Sequence, residues 1–142
     1  MSTNWFKDMQ DMHKKYGVDK WMDNERGSEL NEWSRLNKFM QFRLSMMQEE
    51  LDETKAAVND KNPEEIVDGI IDLCVFAIGT LEVFGVDANK AWDEVYRANM
   101  SKEVGIKEGR PNPLGLPDLV KPEGWKGPKH EGNHGNIADS FQ

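Results

Sequence analysis

Apolar side chains recur at helical spacing along the N-terminal part of the chain. A short run, in which Trp5, Met9 and Met12 follow at steps of four and three residues, predicts a helix that ends at Gly17. A longer run begins after Ser28, and its apolar residues are Trp33, Leu36, Met40, Leu44, Met47 and Leu51. Their steps of three or four residues predict a long amphipathic helix. The segment between the two runs, residues 18–27, is interpreted as a connection.

Two further helices are predicted from their end signals. Asn62 can cap a helix that begins at Pro63 and continues through an apolar run to about Phe84. Asp87 can cap a fourth helix over residues 88–102. No segment is a good candidate for a strand, so the predicted fold class is all-α, a four-helix type of fold.

The composition changes at Gly105. Five of the six prolines and seven of the twelve glycines lie from this residue onward, and such a segment does not favour regular structure. The sequence therefore predicts a helical domain over residues 1–104, followed over residues 105–142 by an extended arm and a loose terminus.

Charge and composition narrow the function classes. The formal net charge of −8 argues against a nucleic-acid partner, because neutralising phosphates requires clustered Lys and Arg. The apolar run from Ile66 to Val86 is interrupted by three acidic residues, so it predicts a buried helix of a soluble protein and no membrane association. A single Cys74 among apolar neighbours is typical of a reducing cytosol, and we expect a cytoplasmic protein.

Two acidic strips lie on consecutive predicted helices. On a helical wheel, the strip on the third helix spans roughly 60° and consists of Glu65, Asp68 and Asp72. The strip on the preceding helix spans about 100° and consists of Glu49, Glu50 and Glu53. The connection between these helices is short, so we expect them to be antiparallel, with both strips at similar height. Folding would then bring several like charges together.

The repulsion within such a cluster of carboxylates can be relieved by protonation, by pairing with basic side chains or by bound metal ions. A run of the type EExxE alone is also typical of a solvated helix face. Asp68 and Asp72 are more informative because apolar residues surround them in sequence. Carboxylates without His favour hard cations, so we expect Mg²⁺, or Mn²⁺ in its place, rather than Zn²⁺.

The acidic residues occur in a recognisable order. The stretch "EELDE" at residues 49–53 is an EExxE run, and "EIVDGIID" at residues 65–72 contains ExxD overlapping DxxxD. These motifs resemble the all-α nucleoside triphosphate pyrophosphohydrolases, the superfamily of MazG and phosphoribosyl-ATP pyrophosphohydrolase. The stretches "RANMSK" and "VKPEGWKGP" are similar to a phage MazG-like branch. The resemblance covers roughly residues 40–128.

The resemblance implies a MazG-like bundle that hydrolyses a nucleoside triphosphate to its monophosphate and pyrophosphate with Mg²⁺. It also implies a homodimer or a dimer of dimers. The metal ligands that it implies are Glu50, Glu53, Asp68 and Asp72. The catalytic residues that it implies are Glu49 and Glu50, with Glu49 as a further ligand or as the base that orients the water. The role of Glu65 stays open, because the commoner ExxD pattern would require Glu at the position of Gly69.

The same resemblance implies that Arg97, Asn99 and Lys102 contact the triphosphate. The alternative interpretation is an ordinary polar helix end, since Lys there also interacts favourably with the helix dipole. Four aromatic residues are candidates for stacking on a base: Trp5, Phe6, Trp33 and Phe39. His13 is interpreted as a surface residue of the first helix.

The substrate is left open between several nucleotides. A purine deoxynucleotide such as dGTP or dATP is one expectation, and dUTP or a damaged nucleotide is another. The first alternative is phosphoribosyl-ATP hydrolysis in histidine synthesis. The second is a non-catalytic helical module whose acidic strip binds a cation or a basic partner.

Overall fold

The computed structural model describes residues 1–27 and 33–141, except for the side chains of residues 26, 27, 33 and 34. This part of the chain contains five α-helices, a two-stranded antiparallel sheet and one 3₁₀ turn, which confirms the predicted all-α class. The helices are α1 (Trp5–Tyr16), α2 (Val18–Gly27), α3 (Trp33–Asn59), α4 (Pro63–Val83) and α5 (Ala88–Met100). The strands are β1 (Glu103–Gly105) and β2 (Asp118–Val120), and the 3₁₀ turn is Ile137–Ser140. No single helix in the described ranges is long and apolar enough to cross a membrane.

The predicted helix ends are formed by local hydrogen bonds. The Asn4 side chain accepts a hydrogen bond from the Lys7 backbone N–H, 3.1 Å away, and so caps α1. The Asn62 side chain caps α4 in the same way through the Glu65 N–H at 3.2 Å, with Pro63 in the first turn. The predicted start of the long helix near Ser28 lies outside the described residues.

The helix α2 corrects the interpretation of residues 18–27 as a connection. Its Met22 side chain is buried beside Leu36, Val83 and Phe84, which together form the main apolar cluster. Burying one side of this short segment stabilises a helix that its mean composition does not predict.

Two compact units are defined by contacts within the chain. The first, called the helical unit, comprises Met1–Ala88 together with His134–Gln142, and the second, called the hairpin unit, comprises Asn89–Asn133. These bounds differ from the predicted division after residue 104, which stays a prediction.

A buried polar network connects α1, α3 and α4 in the helical unit. His13 Nδ1 pairs with the Glu82 carboxylate, and the two side chains are only 4% and 15% exposed. Arg43 is also buried, and its Nε donates to Thr80 Oγ1 at 3.0 Å. Burial lowers the pKa of the Arg43 guanidinium, and the Glu82 charge opposes that shift. The interpretation of His13 as a surface residue is therefore wrong.

Two glycines of α4 lie where neighbouring helices come closest. A Cβ atom at Gly79 would lie 2.5 Å from Arg43 Nη2 and 2.8 Å from Met9 Cε. At Gly69, a Cβ atom would lie 2.2 Å from Thr54 Oγ1. All three distances are shorter than van der Waals contact, so a side chain at either position would require the neighbouring side chains to move.

The C-terminal residues pack into the helical unit, which corrects the predicted loose terminus. Asn136 N–H donates to the Phe84 carbonyl at 2.8 Å, and the Asn37 side chain donates to the Ser140 carbonyl at 2.8 Å. Gly135 lies against the same turn, where a Cβ atom would lie 1.9 Å from the Phe84 carbonyl oxygen. These hydrogen bonds with distant residues fix a segment whose composition alone predicts no structure.

Apolar side chains of α3 and α4 remain exposed on the single chain. Val58 of α3 is 56% exposed, and Val67 and Ile70 of α4 are 64% and 49% exposed. The expectation that apolar residues enclose Asp68 therefore does not hold for one chain, because Asp68 is itself exposed.

Replacing Arg43 with Met is expected to destabilise the helical unit strongly. The change removes the hydrogen bond from the guanidinium to Thr80 Oγ1 and the positive charge that interacts with Glu82, and losing a hydrogen bond of a charged group costs about 1.5–3 kcal/mol. Urea denaturation of the full chain measures the loss of unfolding free energy. The control is Lys7→Met, which removes an exposed ion pair with Asp11 and should cost less than about 1 kcal/mol. Equal losses in the two variants would contradict a structural role for Arg43.

Candidate active site on helices α3 and α4

The close approach of Gly69 to Thr54 sets the position of the two acidic strips. Glu53 directly precedes Thr54 on α3, and Asp68 directly precedes Gly69 on α4. The Thr54 hydroxyl donates a hydrogen bond to the Glu50 carbonyl of its own helix at 2.7 Å. This buried polar group therefore needs no partner from α4, and the two helices can pack closely around it. The carboxylates of both helices consequently share one end of the α3–α4 pair.

The pKa of Glu50 depends on its burial and on the other carboxylates of α3 and α4. Desolvation is the largest cause of its raised pKa, followed by repulsion from Asp72, Glu53, Glu49 and Asp68. The four other carboxylates that the sequence singles out as ligands or catalytic residues therefore all lie within electrostatic range of Glu50. We name this set of five residues the acidic cluster.

In the described part of the chain, no basic side chain pairs with the acidic cluster. Within residues 1–27 and 33–141, none of its five members forms an ion pair with Lys, Arg or His. Glu50 and Asp72 are half-buried, whereas the other three members are exposed. A raised pKa means that ionised Glu50 is unfavourable here, and a bound cation would relieve the repulsion that contributes to this shift.

The acidic cluster matches a divalent cation in its chemistry but does not form a closed cage. Its donors are all carboxylate oxygens, the ligand type that Mg²⁺ prefers. Among the described side chains, no three Asp, Glu, His or Cys residues converge closely enough to hold one ion. Mg²⁺ retains several waters and binds through one or two carboxylates together with substrate phosphates, so it does not require such a cage.

An apolar cavity of about 180 Å³ lies between α1 and α4 of the helical unit. Trp5, Met9 and Met12 line it from α1, and Ile71 lines it from α4. Among the described residues that line it, Asp8 alone is charged. None of the residues that line the cavity belongs to the acidic cluster, although Ile71 directly precedes Asp72 in α4.

The aromatic candidates for base stacking differ in their location and exposure. Phe39 lies within the core, with its ring centroid 4.9 Å from that of Trp21 and 5.9 Å from that of Phe84. These ring contacts and its partial burial make Phe39 a core residue rather than a stacking surface. Trp5 lines the cavity and is 53% exposed. The Trp33 side chain lies outside the described residues.

The three predicted phosphate contacts lie in the hairpin unit. Arg97 is bound within that unit, since its Nη2 lies 3.2 Å from Glu94 Oε2 and 3.2 Å from the Gly127 carbonyl oxygen. Asn99 is half-buried, and Lys102 lies with its ammonium 5.1 Å from the centroid of the Trp125 ring. Their contact with a nucleotide stays a prediction.

A comparison with protein families shows which family the chain belongs to. The sequence profile described as Phosphoribosyl-ATP pyrophosphohydrolase matches residues 20–99, more than half of the chain. The chain belongs to the phosphoribosyl-ATP pyrophosphohydrolase family. Comparisons with curated proteins and with solved structures found no match.

Membership of the phosphoribosyl-ATP pyrophosphohydrolase family implies a nucleotide pyrophosphohydrolase. The matched residues include all of the acidic cluster and Arg97 and Asn99, whereas Lys102 and the whole C-terminal segment lie beyond them. The family is typically Mg²⁺-dependent, in agreement with the all-carboxylate donor set. The phage branch of the resemblance stays a prediction.

Sequence reasoning missed two features that position the site in this pyrophosphohydrolase. The contact between Gly69 and Thr54 could have been suspected, because a glycine within an apolar helix often marks a close approach. The pairing of His13 with Glu82 joins residues far apart in sequence, and no local pattern indicates it.

Proposed function

We propose that this protein is a Mg²⁺-dependent pyrophosphohydrolase that converts a (deoxy)nucleoside triphosphate to the monophosphate and pyrophosphate. The observation that carries the proposal is the acidic cluster, in which carboxylates from two helices repel one another without a basic partner in the described residues. Such a surface attracts divalent cations, and a triphosphate supplies the remaining oxygen ligands. The family relationship supports the same reaction class.

Each member of the acidic cluster is assigned a role in this reaction. Glu50, Glu53, Asp68 and Asp72 would hold Mg²⁺, which would neutralise charge on the phosphate chain and activate a water. Glu49 orients that water and accepts its proton, or serves as a further ligand, and Glu50 takes part in catalysis as a ligand. The water oxygen bonds to the α-phosphorus while the bond to the β-phosphate bridging oxygen breaks. Pyrophosphate leaves with the electron pair of that bond.

The apolar cavity is the place that we assign to the base. Trp5 offers an exposed indole beside aliphatic side chains, a surface on which a planar base stacks favourably. The Asp8 carboxylate can accept a hydrogen bond from an exocyclic amino group, which adenine and guanine carry and uracil does not. This chemistry supports dGTP or dATP over dUTP.

A second candidate substrate is phosphoribosyl-ATP, because the matching profile is described by that reaction. The same bond would be cleaved by the same acidic cluster. The substrate carries an additional phosphoribosyl group, so the protein would require a further anion-binding contact for it.

We also propose that the chain acts as a homodimer or a dimer of dimers. The exposed Val58, Val67 and Ile70 side chains form apolar surface on α3 and α4 that an equivalent chain would cover. Light scattering of the full chain should show more than one chain per particle, and Val67→Lys should lower the particle mass. A monomeric wild-type protein would contradict the proposal.

A screen of nucleotides with product identification tests the reaction and its substrate together. The full chain is incubated with Mg²⁺ and each (d)NTP or phosphoribosyl-ATP, and the products are resolved chromatographically. We expect pyrophosphate and a monophosphate, with purine deoxynucleotides turned over fastest. Release of single phosphate groups would contradict cleavage at the α-phosphorus, and preferred turnover of phosphoribosyl-ATP would favour the second candidate.

Neutral replacements in the acidic cluster should abolish turnover without unfolding the chain. Glu53→Gln or Asp72→Asn removes a charge that holds Mg²⁺, and we expect kcat/KM to fall about 10²-fold or more. The increase in melting temperature caused by Mg²⁺ and nucleotide should be lost as well. The matched control is Asp52→Asn, which lies beside Glu53 but accepts a hydrogen bond from Gln48 and has no assigned role. Full activity in both cluster variants would remove the metal assignment.

Replacing Trp5 with Ala should weaken binding of the base. Stacking of a base on an aromatic side chain contributes about 1–3 kcal/mol, so we expect KM to rise about tenfold while kcat changes less. Trp92→Ala is the control, because Trp92 is 71% exposed and does not line the cavity. Steady-state kinetics with the preferred nucleotide compares the two, and an equal effect on KM would exclude the cavity as the base site.

A further inference from the structure

Glu50 of α3 and Asp72 of α4 are the two half-buried members of the acidic cluster. Burial contributes most to the raised pKa of Glu50, and among its charged neighbours Asp72 contributes most. Asp72 therefore acts on Glu50 more strongly than Glu49 and Glu53, which lie on the same helix as Glu50. This order indicates that the two carboxylates approach each other across the interface between α3 and α4.

The close contact between these two helices lies about one helical turn from both carboxylates. Thr54 follows Glu50 by four residues on α3, and Gly69 precedes Asp72 by three residues on α4. Residues at these spacings share one face of a helix. Both helices lead away from the short connection at residues 60–62, so the two carboxylates lie on the same side of the contact. The separation of the helices at this contact therefore sets the separation of the carboxylates.

The contact leaves no room for a side chain at position 69 while Thr54 is in place. A Cβ atom at Gly69 would lie 2.2 Å from Thr54 Oγ1, 3.3 Å from Thr54 Cβ and 3.6 Å from Thr54 Cα. The hydroxyl could rotate away, although it would lose its hydrogen bond to the Glu50 carbonyl. The Thr54 Cβ atom is fixed to the backbone and cannot rotate. Because carbon atoms in contact are about 3.5–4.0 Å apart, the two backbones would have to separate by a few tenths of an ångström.

A displacement of this size equals the difference between two common cations. Oxygen ligands lie about 2.0–2.1 Å from Mg²⁺ and about 2.3–2.6 Å from Ca²⁺. A cation that bridges Glu50 and Asp72 would therefore respond to a change of a few tenths of an ångström between their helices. Mg²⁺ would respond more strongly, because it requires near-ideal octahedral geometry, whereas Ca²⁺ accepts flexible coordination.

We propose that Thr54 and Gly69 form a spacer that selects Mg²⁺ over larger divalent cations by fixing the separation of Glu50 and Asp72. The inference rests on the proposed function, in which these two carboxylates hold the ion. Thr54 and Gly69 are positioning residues, since they act through the helices that carry the ligands. The small size of the pair keeps the carboxylates at the shorter span that Mg²⁺ requires.

Competition between cations measures this selectivity without a nucleotide. Mn²⁺ is added to the full chain, its bound fraction is followed by electron paramagnetic resonance, and Mg²⁺ or Ca²⁺ is titrated in to displace it. We expect Gly69→Ala to weaken Mg²⁺ binding about tenfold, as changes around the ligands of a metal typically do, and to weaken Ca²⁺ binding less. The ratio of the two affinities does not depend on the fraction of folded protein, so an unchanged ratio would overturn the spacer.

A second substitution at position 54 should restore the preference for Mg²⁺ in the order that the distances give. Combined with Gly69→Ala, Thr54→Ala removes the conflict at 2.2 Å but leaves the one at 3.3 Å, so we expect partial recovery. Thr54→Gly leaves only the ordinary contact at 3.6 Å, so we expect full recovery. This double variant moves the glycine from α4 to α3, which balances the change in helix propensity. A ratio that recovers in neither double variant would overturn the inference.

The matched control is Gly79→Ala, the same change farther along α4. Its new Cβ atom would meet Arg43 and Met9, so the variant should lower the melting temperature but leave the ratio of affinities unchanged. An equal change of the ratio in Gly69→Ala and Gly79→Ala would overturn the spacer. If the wild type binds no divalent cation, the proposed function fails together with this inference. Mg²⁺ binding with the same ratio in the wild type and Gly69→Ala would overturn the spacer alone.

Discussion

The close packing of α4 against its neighbours is the constraint on which the helical unit depends. Gly79 allows the buried Arg43 guanidinium and the Met9 side chain to lie against the helix backbone, and Gly69 allows Thr54 to do so further along. A helix that carries two glycines loses intrinsic helical stability, about 1 kcal/mol for each compared with Ala. Packing of the three surrounding helices must offset that loss. The same contacts hold both acidic strips at one height.

The acidic cluster and the network of Arg43, Glu82 and His13 use charge in opposite ways. In the network, Glu82 pairs with His13 and the Arg43 guanidinium donates to Thr80, so these contacts join the helices without a ligand. In the acidic cluster, like charges stand on a partly solvated surface, and their repulsion contributes to the raised pKa of Glu50. Under the proposed function, the acidic cluster would gain stability when a cation binds. This division agrees with a site that recruits Mg²⁺ together with its substrate.

The sequence predicts the features that depend on local order. Gly17, Asn62 and Pro63 define helix ends through their own backbone preferences, and the structure confirms them. The acidic strips follow from helical periodicity, and their approach follows from a short connection. The apolar pattern of α4 was less informative, because it does not distinguish surface covered within one chain from surface left exposed, such as that of Val67.

Features that depend on distant partners could not be predicted in this way. The helix α2 forms because Met22 is buried by residues from α3 and α4, and the C-terminal segment is ordered by hydrogen bonds to the Phe84 and Asn37 region. Three-residue strands are too short to show an alternating pattern. The contact between Gly69 and Thr54 also couples two positions: a larger residue at 69 requires a smaller one at 54, so substitutions at the two positions should occur as compensating pairs in sequences that keep this interhelical distance.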